Sequence, residues 1–150
     1  MRDFATAKEV AEYSLEQTGI GLMSGDFDLF APHFLLPQYV KTFDGKRLLQ
    51  TREDVRSVFD AVRAHFNKLQ VTLLSRTCIS AEFQDADTVF STHETRLIAR
   101  DVMVQQPYPV FSVLRRVGGV WLVADSEYAI VEAPWHSKAF GPATPERGRA

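Results

Sequence analysis

A histidine, a glutamate and an arginine lie close together in the segment STHETRLIAR, residues 91–100. The imidazole of His93 titrates near neutral pH, which suits general acid–base chemistry or hydrogen bonding to a ligand. Glu94 and Arg96 are two residues apart, so on a strand they share the opposite face, where they could bind a carboxylate or form an ion pair. Which of these groups can act depends on which face of the strand is turned inward.

Other chemical motifs are missing from the sequence. The four histidines have no metal-ligand spacing, and no glycine-rich phosphate loop precedes a helix. Cys78 is the only cysteine, which excludes an intramolecular disulfide, and on a strand it is expected to be a small core residue. We therefore predict neither a metal nor a cofactor.

The 150-residue chain is long enough for one domain with a buried core, and its 45% hydrophobic and 24% charged residues are typical of a globular protein. The formal net charge is -2 and the basic residues are spread out, so nucleic acid is not an expected partner. No run approaches the roughly 18 apolar residues that span a membrane, and the first residues lack the apolar core of a signal peptide. We predict no membrane association and a cytoplasmic location.

Three helices are predicted in the first half of the chain, and they are expected to help position these groups. Thr6 and Glu9 have capping-box spacing at the start of a helix that ends at about residue 22. Asp26 is the predicted N-cap of a short second helix in SGDFDLFAPHF, and Thr51 that of a third helix reaching about residue 69. The apolar stripe of the third helix comprises Val55, Val58, Phe59, Val62, Phe66 and Leu69.

Strands are predicted for most of the remaining chain. PQYVKTFDGKRLLQ is predicted to form a hairpin with its turn at Asp44-Gly45. Beyond residue 69, side chains alternate with a period of about 2 in VTLLSRTCISAEF, TVFSTHETRLI, PYPVFSVLRRV and VWLVADSEYAIV, the last two joined by Gly118-Gly119. This order predicts an α+β domain over residues 1–132, in which a curved antiparallel sheet wraps around the N-terminal helices and leaves a conical interior. Residues 133–150 are predicted to form a flexible tail.

This arrangement resembles the nuclear-transport-factor-like cone superfamily, which includes SnoaL-like polyketide cyclases, ketosteroid isomerase and scytalone dehydratase. The resemblance covers about residues 5–131 and is carried by SGDFDLFAPHF, by TREDVRSVFDAVRAHF and by the strand pair RRVGGVWLVADSEYAI. It implies a cystatin-like, SnoaL-like cone with a mouth for a small ligand. It implies little about chemistry, because this fold carries enzymes, binding proteins and transport factors alike.

The acid–base residues of ketosteroid isomerase are not matched in this sequence. The resemblance places its oxyanion tyrosine, its general-base aspartate and its protonated aspartate at Thr18, Thr42 and Ser112. Threonine is no base near neutral pH, and serine is a weaker donor than a protonated carboxyl group. Isomerase chemistry of that kind is therefore not expected.

The same alignment turns Ser112 into the cone, and alternation along the last two strands then turns further side chains inward. A two-residue turn at Arg100-Asp101 would turn His93 inward opposite Tyr108, whereas a bulge would turn Glu94 and Arg96 inward instead. The predicted ligand-binding residues are Tyr39 at the mouth, His93, Tyr108, Ser112, Ser126 and Tyr128, with His93 as the catalytic candidate. The alternative for His93 is a core histidine bonded to a hydroxyl group.

The opposite face of the last two strands is expected to be too apolar for exposure to water. It comprises Phe111, Val113, Trp121 and Val123. Many members of the superfamily pair sheet to sheet, so we predict a homodimer through this outer face.

These observations predict a protein that binds a small, largely apolar molecule in the cone. Cofactor-independent cyclase, isomerase or dehydratase chemistry is the nearest analogy. The alternative is a dimeric interaction or binding module without enzymatic activity.

Overall fold

Residues 4–42 and 45–129 are described by the structure, which is a computed structural model. The predicted tail at 133–150, the turn residue Asp44 and the end of the last predicted strand lie outside the described residues. The other predicted elements can be compared with the structure directly.

Three α-helices begin at the predicted capping residues. Helix α1 spans Ala7–Ser24 and helix α3 spans Arg52–Leu69, and each follows a threonine N-cap that takes part in a reciprocal capping box. The short helix α2 spans Phe27–Phe30 behind the N-cap Asp26 and continues into a 3₁₀ turn at Ala31–His33. Local capping chemistry therefore fixes where each helix starts.

Seven strands form one curved sheet that does not close into a barrel. They are β1 Gln38–Thr42, β2 Gly45–Leu49, β3 Leu73–Asp85, β4 Thr88–Ala99, β5 Val102–Met103, β6 Tyr108–Val117 and β7 Val120–Tyr128. Their order is β2-β1-β7-β6-β4-β3, with the short β5 paired to β4. The predicted α+β fold is confirmed, but the sheet is mixed rather than wholly antiparallel, because β1 pairs with β7 in parallel. No hairpin joins these two strands, so nothing local forces them to be antiparallel.

The turn after β4 determines which side chains of that strand lie on the concave face of the sheet. Arg100 and Asp101 both have positive φ and form the predicted two-residue turn, which pairs Ala99 with Val102. Beyond β5 the register against β4 shifts by two residues, so His93 pairs with Val110 instead of the predicted Tyr108. A shift of two residues preserves the face of every side chain, and His93 therefore remains on the concave side.

A bulge in β7 corrects the predicted outer face. Ser112 pairs with Ser126, but Leu114 pairs with Val123, so one extra residue of β7 lies between these pairs. The extra residue reverses the alternation, and Trp121 and Val123 turn to the inner side, where each is only 8% exposed. Trp121 and Val123 are therefore core residues, and their prediction as dimer contacts was wrong.

Two apolar clusters fill the ends of the interior and leave its middle open. The larger cluster is built on the buried stripe of α3 and on aromatic residues such as Phe30 and Phe59. The smaller joins α1 to the sheet through Val10, Val89, Leu114 and other residues. Residues of both clusters line the cavity that remains in this interior.

Candidate functional site

A cavity lies between the concave face of the sheet and the helices α1 and α3. Its volume is about 100 Å³, counted as the space open to the centre of a water-sized sphere. One water molecule needs about 10–15 Å³ on this measure, so the space suits a small organic molecule. Most of the lining side chains are apolar, and the polar ones come mainly from the central strands of the sheet.

A row of three serines crosses the middle of the concave face. Ser91 on β4 pairs with Ser112 on β6, which pairs with Ser126 on β7. All three are buried, line the cavity and form no hydrogen bond through their hydroxyls to another described residue. Because serine is small, this row leaves room where larger side chains would close the interior.

His93 lies one row further along the concave face, between Cys78 on β3 and Val110 on β6. Its side chain lines the cavity and is 7% exposed, and neither ring nitrogen is hydrogen-bonded to a residue of the described part of the chain. Burial, and then the positive charge of Arg76, lower the pKa of His93 to about 3. The imidazole is therefore neutral near pH 7 and offers a ligand one N–H donor and one nitrogen acceptor.

Two tyrosines complete this part of the wall. The rings of Tyr108 and Tyr128 lie 6.3 Å apart between centroids, and both line the cavity. Burial raises the pKa of each phenol, and the Tyr108 phenol is also hydrogen-bonded to Thr95. Both phenols therefore stay protonated at neutral pH and can serve as hydrogen-bond donors.

Arg76 brings a positive charge to the same wall from β3, where it pairs with Thr95 of β4. Its Nη2 atom donates to the Leu15 carbonyl at 2.6 Å and to the Thr18 hydroxyl at 2.7 Å. The Thr18 hydroxyl in turn donates to the Ser14 carbonyl at 2.7 Å. Helix α1 thus holds the guanidinium in place against the cavity.

Gln38 of β1 also lines the cavity, from the part of the sheet beyond β7. Its Nε2 atom donates to the carbonyl oxygens of Leu35 at 2.9 Å and Val123 at 2.8 Å, which fixes the orientation of the amide. Its Oε1 atom is buried and has no hydrogen-bond partner among the described residues.

No family model and no curated protein sequence matches the chain. Solved structures do match it. An NTF-2-like protein of unknown function from Shewanella oneidensis superposes with a TM-score of 0.64 and 9% identity, over 81% of this chain and 98% of that one. An NTF2-like protein with a cystatin-like fold from Novosphingobium aromaticivorans superposes with a TM-score of 0.64 and 12% identity, over 84% of this chain and 82% of that one. A ketosteroid isomerase-like protein from Erwinia carotovora atroseptica superposes with a TM-score of 0.61 and 13% identity, over 84% of this chain and 97% of that one.

The chain has the NTF2-like fold. This agrees with the cone that the sequence resembles. Identities this low carry the fold only, so the chemistry of the cavity has to be argued from its own residues.

Five of the six predicted ligand-binding residues line the NTF2-like cavity. They are His93, Tyr108, Ser112, Ser126 and Tyr128. Tyr39 does not, because Gln38 and Val40 are the residues of β1 that face the interior. Its ring is exposed and stacks under the Lys46 ammonium group, 4.6 Å from the ring centroid.

The charged neighbours of His93 face away from the cavity. The Arg96 guanidinium forms an ion pair with the Glu94 carboxylate, and both side chains are partly exposed. Neither side chain lines the cavity, and the two pair with each other rather than with the neighbouring strand or a partner subunit, which was the expected ion pair.

The predicted ligand-binding residues omit six polar residues of the wall, namely Ser14, Thr18, Gln38, Arg76, Ser91 and Thr95. Arg76 had a signal in the sequence, because it shares a strand face with Leu74 and Cys78, and a charge among inward-facing residues is unusual. Gln38 had no comparable signal, because only the packing of β1 against β7 turns it inward.

Two further features of the described residues bear on the type of site. No helix in residues 4–42 and 45–129 is long and apolar enough to cross a membrane. Over the same residues, no three histidine, cysteine, aspartate or glutamate side chains are grouped so that they could hold a metal ion.

Proposed function

We propose that this protein binds a small, largely apolar molecule in the cavity and contacts its polar atoms with the serine row and His93. The observation that carries the proposal is the set of buried serine hydroxyl groups and the His93 imidazole, which face an interior space without a hydrogen-bond partner among the described residues. Leaving a buried polar group unpaired costs about 1–3 kcal/mol, so a ligand that pairs several of them gains affinity. The apolar clusters on either side favour an apolar body for that ligand.

Binding is supported better than proton-transfer catalysis. Among the described residues no aspartate or glutamate lines the cavity. A histidine whose pKa is about 3 is a weak base at neutral pH, because the ideal pKa of a catalytic base lies near the working pH. We therefore assign His93, the catalytic candidate, to hydrogen bonding with the ligand.

Replacement of His93 by alanine tests the proposal. Indole, cyclohexanone and cinnamamide are suitable neutral probes, with binding followed by isothermal titration calorimetry. For a probe that hydrogen-bonds the imidazole, the variant is expected to lose about 1–3 kcal/mol of binding free energy. Thr92→Ala is the matched control on the outer face of the same strand, and its affinity should be unchanged. The proposal fails if none of the three probes binds the wild type.

We also propose that the protein forms a homodimer through the convex face of the sheet. Phe90 and Phe111 meet edge to face there, with 5.5 Å between ring centroids, and each is 38% exposed. Val113 lies beside them on the same face, paired with Phe90. Two adjacent exposed phenylalanines on the convex face favour a second apolar surface as their cover.

The variant Phe111→Glu is expected to be monomeric in sedimentation velocity, because it places a charge in the centre of the proposed contact. Val102→Glu is the control, since Val102 is 61% exposed on the distant turn between β4 and β5 and should leave the dimer intact. A wild type that sediments as a monomer would exclude this dimer.

The cytoplasm is the location that we propose for the protein. Its one cysteine, Cys78, is buried and free. A chain without a disulfide is typical of a reducing compartment.

A further inference from the structure

Arg76 is a charged side chain in an otherwise uncharged cavity wall. Of the cavity-lining residues that the structure describes, it alone carries a formal charge near neutral pH, since His93 is neutral and both tyrosines are protonated. Arginine keeps its charge in proteins even when burial lowers its pKa. The cavity is therefore electropositive on the side formed by β3 and α1.

Only one of the three guanidinium nitrogen atoms forms the hydrogen bonds that hold Arg76 in place. Both of its hydrogen bonds to described residues use Nη2, which leaves the Nε and Nη1 donors uncommitted. Gly19 allows a close approach here, because a Cβ atom at that position would lie 3.1 Å from Nη2 and the guanidinium would have to shift slightly. Helix α1 thus positions the guanidinium but leaves its Nε and Nη1 donors without a hydrogen bond to a described residue.

No carboxylate neutralises this charge within the described residues. Glu12 and Glu16 border the outer groove that also contacts the Arg76 side chain, but neither forms an ion pair with it. Other arginines of the fold do have acidic partners, such as Arg96 with Glu94 and Arg116 with Asp87. A partly buried charge without a counter-ion is costly, and an anionic ligand would remove that cost.

We infer that the natural ligand carries a carboxylate group, which pairs with Arg76 while its apolar body extends along the serine row. This inference rests on the proposed function, because it names the chemical class of the molecule that occupies the same cavity. The planar guanidinium suits a carboxylate, which can accept two parallel hydrogen bonds from it. The phenols of Tyr108 and Tyr128 line the same cavity as Arg76.

The test compares matched acids and amides of equal shape. Cinnamate with cinnamamide and hexanoate with hexanamide are titrated against the wild type, Arg76→Met and Arg96→Met. In the wild type, each acid is expected to bind about 10-fold or more tightly than its amide, because of the charge-assisted hydrogen bonds. Arg76→Met should abolish that difference and still bind the amides. Arg96→Met removes the same charge from the outer face and should keep the difference.

Several outcomes would overturn the inference. If the amides bind the wild type as tightly as the acids, the carboxylate assignment is wrong while the proposed binding function stands. If both arginine variants reduce acid binding equally, the effect is one of net charge and not of this site. If neither acid nor amide binds, the inference fails, and the proposed function fails with it only where indole and cyclohexanone do not bind either. The wild-type comparison needs no variant, so it decides the matter even if Arg76→Met does not fold.

Discussion

Replacement of Ser112 by leucine is expected to abolish ligand binding while the protein stays folded. Ser112 is the central member of the serine row, between Ser91 and Ser126, and its side chain borders the cavity. A leucine there would occupy space that the ligand needs, and affinity for any cavity ligand should fall by about 100-fold or more. Buried apolar surface stabilises by about 25 cal/mol per Å², so the free energy of unfolding should be unchanged or slightly higher.

The matched control for this variant is Ser112→Ala, which removes the hydroxyl but adds no volume. Its effect on affinity should not exceed about 1.5 kcal/mol, the contribution of one hydrogen bond. Titration with cinnamamide and urea unfolding measure the two quantities. Equal affinities for the leucine variant and the wild type would show that the ligand binds elsewhere.

Acid is expected to destabilise the protein through His93, and His93→Gln should remove most of that effect. The folded state holds the pKa of His93 at about 3, whereas the unfolded chain has a value of about 6.5. The unfolded state therefore binds the extra proton between these values, and the stability contribution that is complete above pH 6.5 is lost as pH falls toward 3. Between about pH 8 and about pH 4 the loss amounts to about 3 kcal/mol.

The difference between wild type and variant in urea unfolding at several pH values isolates this contribution. The titratable groups around His93 are Arg76, Tyr108, Tyr128 and Cys78, and none of these residue types normally titrates between about pH 4 and about pH 8. His65→Gln is the comparison, because burial also lowers the pKa of that half-buried imidazole, but less than for His93, so its removal should take away a smaller part of the acid effect. A wild type and a His93→Gln variant with the same pH dependence would contradict a buried neutral imidazole.

The sequence was sufficient for features that depend on local chemistry. The capping boxes at Thr6 and Thr51 place the starts of two helices, because the capping bonds form between residues three apart. The turns at Arg100-Asp101 and Gly118-Gly119 were predicted for the same reason, since a two-residue hairpin turn is set by its own backbone. The order of these elements predicted an α+β domain with a curved sheet around the helices, and the resemblance to the nuclear-transport-factor-like superfamily implied the cone.

The faces of the central strands were predicted only in part, and the errors arose where the register departs from strict alternation. The shift between β5 and β6 spans two residues, so it changed the partner of His93 but not its face. The bulge in β7 spans one residue, and it moved Trp121 and Val123 from the predicted outer face into the core. A bulge depends on how two strands fit over one interior, which no short sequence window contains.

The sequence by itself determined the helix starts, the hairpin turns, the fold class and five polar residues of the cavity wall, because each follows from bonds between near neighbours or from simple alternation. Only the tertiary structure decided that Arg76 and Gln38 belong to that wall and that Tyr39 does not. The positions of Arg76 and Gln38 depend on contacts with distant parts of the chain, Arg76 with α1 and Gln38 with β7. Such contacts exist only once the sheet has curved around the helices, which is why local sequence patterns do not report them.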